Sequence, residues 1–284
     1  MKLAVLTDVH GNLPALEAVS EDLDAWRPDC VVVGGDIVNR GPRSRECLAA
    51  IQRRVETDHW VVTRGNHEEY VLKWMAPAES MTKRERELFG LARWTHSQLT
   101  PPQLAWLSAL PSEHRLAIRS AADVVITHGS ASGIADGIFP WFTARDLVGR
   151  VADQCGLFIV GHTHSPFVTR LDATDIVNVG SVGLPFDSDP RASYGRFTNL
   201  RGAWRAEIVR VPYDRVRAER DFDDSGFLAG CGPLALLVRD ELRSASSRLF
   251  QWLQVYEAPL ADGRIGIADA VHEYLASLAR PTNP

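Results

Sequence analysis

The sequence predicts an α/β fold of two packed, mixed β-sheets flanked by helices, with a helical insertion and C-terminal helices. Three observations carry this reading. Short buried-strand runs alternate with amphipathic helical patterns over the first 63 residues, an order that makes a mostly parallel sheet with helices on its faces. From 68 to 114 the patterning is helical, without strands. Beyond it several strands follow one another without intervening helices. The second half is therefore more antiparallel, and two packed sheets fit better than one open sheet.

Taken in order, Leu3–Thr7 is a buried strand. Asn12 is placed to cap a helix whose apolar face carries Leu13, Leu16, Val19, Leu23 and Trp26. Cys30–Val33 is the second strand, Cys47, Ile51 and Val55 mark the next helix, and Trp60–Thr63 is the third strand. Helical stretches at Glu69–Met75, Lys83–Leu99 and Gln103–Leu107 are punctuated by Pro77, Pro101, Pro102 and Pro111. Strands resume at Arg115–Arg119, Asp123–Thr127, Leu157–Val160, Phe167–Arg170, Asp175–Val179 and Trp204–Val211. The charged run Asp214–Asp224 reads as a solvated connector. After the break at Gly230-Cys231-Gly232-Pro233, an apolar stripe of Leu234, Val238, Leu242, Ala245, Leu249 and Trp252 has helical spacing. A loop over Pro259–Gly263 precedes a last helix with Ile267, Val271, Tyr274 and Leu278. This helical pair is expected to dock on the core, with a homodimer surface as the alternative. The division is a domain over 1–212, containing the insertion at 68–114, and a connector with helical extension over 213–284.

Composition narrows the function. The 284 residues are 45% hydrophobic and 24% charged, which excludes a disordered or collagen-like chain. With 31 Lys and Arg against 36 Asp and Glu, the net charge of −5 leaves no global basic field for nucleic acid or anionic membrane. Cys30, Cys47, Cys155 and Cys231 are far apart and form no C-x-x-C pair, so buried thiols in a reducing compartment are expected. The first apolar run is too short for a signal-peptide core and no stretch is long enough to span a bilayer, so a soluble, cytoplasmic protein is expected.

Chemistry enters where His, Asp and Asn fall. Asp8 and His10 follow the first strand, Asp36 the second, Asn66 and His67 the third, His128 a later one, and His162 and His164 another. Ligands of open α/β sheets bind beyond the carboxyl ends of the strands, so five strands would deliver polar groups to one edge. Singly, each has a plainer reading: Asp8 as a helix cap, Asp36 as a turn residue, His128 and His162 as hydrogen-bonded surface groups. Chance does not place the whole set at strand ends. With His67 held aside, the edge offers two carboxylates, one amide oxygen and four imidazoles without thiolate. That mix suits divalent Mn, Fe, Zn, Ni or Co and is too nitrogen-rich for calcium or magnesium alone. It suffices for two ions if one carboxylate bridges, and two ions about 3.5–4 Å apart can hold a hydroxide for in-line attack on phosphorus.

TDVHGN, GGDIVNRGP, GNHEE, THGS and GHTH, in that order, resemble the five blocks of the calcineurin-like metallophosphoesterase superfamily. The resemblance covers roughly residues 1–200, including VGSVGLP at 179–185, which is similar to the glycine-rich strand ending of the small bacterial members. It implies a four-layer αββα sandwich. It implies one metal held by Asp8, His10, His164 and a bridging Asp36, and another by Asp36, Asn66, His128 and His162, with Mn favoured. It implies that His67 is not a ligand but protonates the leaving oxygen or stabilises charge in the transition state, and that Arg40 grips phosphate oxygens with its planar donor fork. Protein-phosphatase relatives carry an Asp before that Arg to orient the histidine. Here the residue is Asn39, as in the dinucleoside-tetraphosphatase form, with Glu68 or Glu69 as substitute orienting groups. The GHTH ending instead resembles the phosphodiesterase and nuclease branches.

The expected activity is metal-dependent phosphodiester hydrolysis on nucleotide-like or dinucleoside polyphosphate substrates. A phosphomonoester or phosphoprotein phosphatase is the first alternative. A non-catalytic binding scaffold, as in the retromer subunit of this fold, is the second, although every ligand position is filled. A DNA nuclease is disfavoured by the charge balance. Trp74, Trp94 and Trp106 are expected to pack, whereas Phe139, Trp141 and Phe142 are the better candidates to stack a nucleobase at the rim.

Overall fold

A computed structural model describes residues 1–75, 87–118 and 122–278. Among them are two five-stranded sheets. The first has the order β10-β9-β1-β2-β3, with β1 Lys2–Leu6, β2 Cys30–Gly34, β3 Val61–Thr63, β9 Ala192–Leu200 and β10 Ala203–Val211. The second has the order β4-β5-β6-β8-β7, with β4 Glu113–Leu116, β5 Asp123–Thr127, β6 Cys155–Val160, β7 Phe167–Leu171 and β8 Thr174–Asn178. β1, β2 and β3 run parallel, as do β5, β6 and β8, and the remaining pairs are antiparallel.

Strand alternation builds the layers, because successive side chains point to opposite faces. Leu3, Val5 and Val32 of the first sheet meet Val124, Ile126, Leu157, Ile159 and Val177 of the second in the inter-sheet core. Their neighbours Ala4, Leu6, Val31 and Val33 face the other way, against Leu16, Val19 and Leu23 of α1 (Leu13–Trp26) and Leu48 and Ile51 of α2 (Ser44–Asp58). On the far side, Val125, Phe158, Val160 and Ile176 pack against Ile138 and against Leu147 of the short helix α6 (Ala144–Leu147). The result is the expected αββα sandwich.

Local signals read from sequence hold at several places. Asn12 caps α1, its side chain accepting from Ala15 N at 3.2 Å. The insertion contributes α3 Asn66–Leu72, α4 Gly90–Gln98 and α5 Pro101–Ser108, the last opened by a Thr100–Gln103 capping box and two prolines. Pro77, residues 83–86 of the Lys83–Leu99 stretch and Arg119 lie outside the described residues. Trp94 packs edge-on against Phe227, and Trp74 and Trp106 pack against the core.

Tertiary context changes four details. β9 is an extra strand, hidden in sequence by Gly195 and Asn199, that pairs with both β1 and β10. Residues of the charged run form α7 Arg215–Asp224, capped by Asp214, which buries Ala218 and Phe222. The long apolar stripe is two helices, α9 Leu234–Ser244 and α10 Arg248–Ala261, because Ala245 adopts a left-handed conformation that ends the first. Pro259 lies inside α10, one turn from its end. α7, α8 (Phe227–Cys231), α9, α10 and α11 (Ile267–Leu278) share one apolar cluster with Leu91 of the insertion and Leu184, so they dock on the core. No helix among the described residues is long and apolar enough to cross a membrane. The four cysteines are free, with Cys47, Cys155 and Cys231 buried.

The turns after β1 and β2 lock together. Asp8 N, His10 N and Gly11 N donate to the carbonyls of Gly35, Asp36 and Ile37. Gly41 closes against this pair: a Cβ there would lie 2.0 Å from the His10 carbonyl oxygen. Gly41→Ala is therefore expected to destabilise the protein by about 3 kcal/mol, through a backbone clash that no rotamer relieves. Urea denaturation measures this, and an unchanged midpoint would show that the two turns are free to separate.

Candidate active site

Every predicted metal ligand, and His67, sits just beyond the carboxyl end of a strand, and the two sheets present these ends to one edge, with Arg40 further along the turn that follows Asp36. Asp8 and His10 follow β1, Asp36 follows β2, Asn66 and His67 open α3 after β3, His128 follows β5, and His162 and His164 follow β6. Asp8, His10, Asp36, Asn39, Arg40, His162 and His164 all have left-handed backbone, with φ between 46° and 70°. Asp, Asn and His tolerate this conformation better than most residues. Concentrated at one place, such strain marks a functional constraint on side-chain direction.

The resulting contacts are short and buried. His164 Nε2 lies 3.2 Å from Asp8 Oδ1, and His128 Nε2 lies 3.1 Å from Asp36 Oδ2. His10 Nε2 is 3.1 Å from His164 Nε2 and 3.5 Å from Asp36 Oδ2. His162 Nδ1 is 2.9 Å from Asn66 Oδ1 and 3.3 Å from His128 Nε2. Three overlapping groups could each hold a metal ion: Asp8, His10 and His164; His10, Asp36 and His67; and Asp36, His128 and His162.

Outer hydrogen bonds orient the rings. His128 Nδ1 donates to the Gly34 carbonyl and His164 Nδ1 to that of Leu184. A neutral ring whose Nδ1 donates presents a lone pair at Nε2. With neutral rings, the Nε2 lone pairs of His164 and His128 would face carboxylate oxygens, so each contact calls for a cation between the two groups, either a ring proton or a metal ion. Asp8 Oδ1 and His10 Nδ1 are buried with no hydrogen-bond partner among the described residues. Oxygen and imidazole donors without thiolate fit divalent transition metals.

Electrostatics agree. Burial opposes charge on Asp8 and Asp36, yet the neighbouring imidazoles hold both carboxyls well below the usual carboxylate range. Burial also opposes charge on His128, but Asp36 and Asp8 overcome it and push that imidazole up to about 10. Burial drives His162 down to about 4 and His67 down to about 3, the latter helped by the Arg40 charge and opposed by Asp36. Burial also drives His10, 3.5 Å from Asp36 Oδ2, well below the usual imidazole range, so among these four rings the charge is favoured on His128 alone. If ions reside there, chelation with EDTA is expected to lower Tm by about 5–10 °C, since a ligand at a hundredfold excess over Kd stabilises by about 2.7 kcal/mol. An unchanged thermal transition would argue against a resident ion.

A model of the calcineurin-like phosphoesterase family matches residues 1–166. The chain belongs to this family. The protein MJ0912 of Methanocaldococcus jannaschii is 30% identical over 233 residues, covering 76% of this chain and 89% of that protein. Phosphodiesterase YfcE of Escherichia coli is 28% identical over 205 residues, covering 70% of this chain and 88% of that enzyme. A metallophosphoesterase structure from Sphaerobacter thermophilus aligns with a TM-score of 0.66 at 27% identity, covering 86% of this chain and all of that one. PH1004 from Pyrococcus horikoshii shares the fold, with a TM-score of 0.70 at 20% identity over 85% of this chain and 97% of that one. The chain is a hydrolase of the phosphoesterase family, and its His/Asp clusters suggest a dinuclear metal site.

Within this phosphoesterase framework the orienting group for His67 is Asn39. Asn39 Nδ2 lies 2.9 Å from His67 Nδ1, while Asn39 Oδ1 accepts from Arg40 N at 2.9 Å. The second bond sets the amide, so Nδ2 donates and His67 Nδ1 accepts, leaving the neutral ring's proton on Nε2. Glu69 pairs with Arg64 at 3.6 Å instead. Glu68 accepts from the backbone of Gly65, Asp36, Ile37 and Val38, bracing the turn that carries Asp36. Its place three residues after Gly65 is a capping-box position, which is the signal that could have revealed this role. Phe186, which stacks on His164 with centroids 4.3 Å apart, carried no sequence signal. Phe139 and Trp141 stack at 4.8 Å, with Trp141 70% exposed. Phe139 stands beside Gly137, whose added Cβ would meet His162 Cδ2 at 2.9 Å and Phe139 Cε2 at 3.3 Å.

Proposed function

We propose that the protein is a dinuclear-metal-dependent phosphodiesterase acting on nucleotide-like or dinucleoside polyphosphate substrates. The observation that carries this reading is the gathering of imidazole nitrogens and carboxylate oxygens around Asp36, in overlapping groups that could each hold a metal ion. Asp8, His10, His164 and Asp36 would hold one ion, and Asp36, Asn66, His128 and His162 the other, with manganese the favoured metal. Bound divalent ions supply an activated water nucleophile and Lewis-acid stabilisation of phosphoryl oxygens. Residues 1–212 are the catalytic domain and 213–284 its helical extension. Four free cysteines support a cytoplasmic location.

The chain's own residues supply the rest. His67, although one group places it beside His10 and Asp36, has Nδ1 engaged by Asn39 and turns an Nε2–H to the substrate. It donates that hydrogen bond to the oxygen that gains charge as the ester bond breaks. Full proton transfer from a neutral ring would leave an imidazolate, so hydrogen-bond donation is the role this tautomer suits. Arg40 binds phosphate oxygens. Trp141, exposed and stacked on the Phe139 that neighbours Gly137 and His162, offers an aromatic face for stacking a base.

Hydrolysis of bis-p-nitrophenyl phosphate beside p-nitrophenyl phosphate tests this, with Mn, Ni, Zn or Mg added in turn and His67→Ala as control. Metal-dependent diester cleavage that is lost in the variant is expected. A preference for the monoester would make the protein a phosphatase. No turnover with two ions bound would point to the scaffold reading.

A further inference from the structure

Arg40 is the one left-handed residue of the site that is neither Asp, Asn nor His, so its backbone strain purchases a side-chain direction. That direction leads to the C-terminal helices. Arg40 Nη2 lies 3.4 Å from Oε1 of Glu241 on α9, a carboxylate with no exposed surface. The same Oε1 accepts from Leu249 N, at the start of α10, at 2.9 Å. Glu241 Oε2 and Arg40 Nε are both buried without a hydrogen-bond partner, and Arg40 Nη1 donates no hydrogen bond among the described residues. The guanidinium also lies over Phe186, 5.5 Å from the ring centroid, and Phe186 stacks on His164. Three residues on, Arg43 directs Nε and Nη2 to Asp221 Oδ1 of α7 at 2.8 and 2.6 Å. Two carboxylates of the C-terminal helices thus grip the loop that follows Asp36.

A buried ion pair is weak evidence of stabilisation, because desolvation offsets the attraction. This pair is also incompletely hydrogen-bonded, which a purely structural role does not explain. We propose that Glu241 is a positioning residue for phosphate binding: it holds one arm of the Arg40 fork so that the free arm meets a phosphate oxygen at the metal edge. The C-terminal helices are then part of the substrate-binding apparatus. This rests on the reading of Arg40 as a phosphate ligand.

The test is a double-mutant cycle on the metal-loaded full chain, using Arg40→Ala, Glu241→Gln and the double variant. The readouts are KM and kcat for bis-p-nitrophenyl phosphate and the Kd of inorganic phosphate by calorimetry. Loss of a charge-assisted contact is expected to weaken phosphate binding about tenfold. Each single variant should raise KM and Kd by about that factor, with a smaller fall in kcat, and the double should be no worse than Arg40→Ala. If Glu241→Gln folds poorly, Glu241→Asp keeps the charge but withdraws it by one methylene and should give an intermediate KM. Should Arg40→Ala raise KM while neither Glu241 variant does, Glu241 has no positioning role and Arg40 remains a phosphate ligand. Effects that simply add would overturn the proposal, since Glu241 would then act independently of Arg40. If Arg40→Ala leaves KM and Kd unchanged, the Arg40 reading falls and takes this proposal with it.

Discussion

Asp36→Asn is expected to reduce bound metal from two ions to one or none and to lower kcat at least about 1,000-fold, while leaving the fold intact. A thousandfold loss corresponds to about 4 kcal/mol of transition-state stabilisation, within the several kcal/mol that metal-assisted charge stabilisation supplies. The geometry explains why one oxygen matters so much. Asp36 Oδ1 accepts from His67 N at 2.9 Å, and Oδ2 faces both His128 Nε2 and His10 Nε2. Without metal, the ring proton of His128 takes an ion's place against Asp36, 3.1 Å away. Asparagine can keep its oxygen on the His67 amide but loses this charge-assisted contact. Its metal-free form should therefore melt about 5 °C below the metal-free parent. Metal analysis after dialysis, turnover with bis-p-nitrophenyl phosphate, and calorimetric melting with EDTA check the three parts. Two ions retained at full activity would refute Asp36 as the shared ligand.

His67→Ala is expected to lower kcat by about 10²–10³, the usual cost of removing one donor to a developing oxyanion. Bound metal should stay at the parent's level. This separates His67 from the ligand set, because a true ligand would take metal with it. Asn39→Ala should lose about fivefold, since the orienting hydrogen bond contributes about 1 kcal/mol and the ring is also held edge-on by Tyr70, 5.2 Å away. Loss of an ion in His67→Ala would instead assign His67 to the group with His10 and Asp36.

Much of this was legible in the residues. The alternating strands, the Asn12 cap, the proline-opened helix at Pro101 and the convergence of Asp8, Asp36, Asn66, His128 and His162 follow from local rules and from where parallel strands end. Some parts were not. β9 is weakly patterned by itself and owes its pairing to β1 and β10 on either side. α7 looked like solvent-exposed chain because its buried face is narrow, chiefly Ala218 and Phe222. The break between α9 and α10 at Ala245 is a single backbone rotation within an unbroken apolar stripe.

By itself, the sequence determined the layered α/β architecture and which side chains gather at the strand ends, since periodicity and strand order are short-range properties of the chain. Only the tertiary structure decided which groups orient them. Asn39 rather than Glu68 or Glu69 meets His67, the Leu184 carbonyl holds His164, and Glu241 reaches Arg40 across 201 positions of chain. Such contacts depend on how packed surfaces bring distant segments within hydrogen-bond distance. A carboxylate on an amphipathic helix has the same local pattern whether it faces water or a buried guanidinium. The difference is made by the apolar cluster that docks α9 on the core.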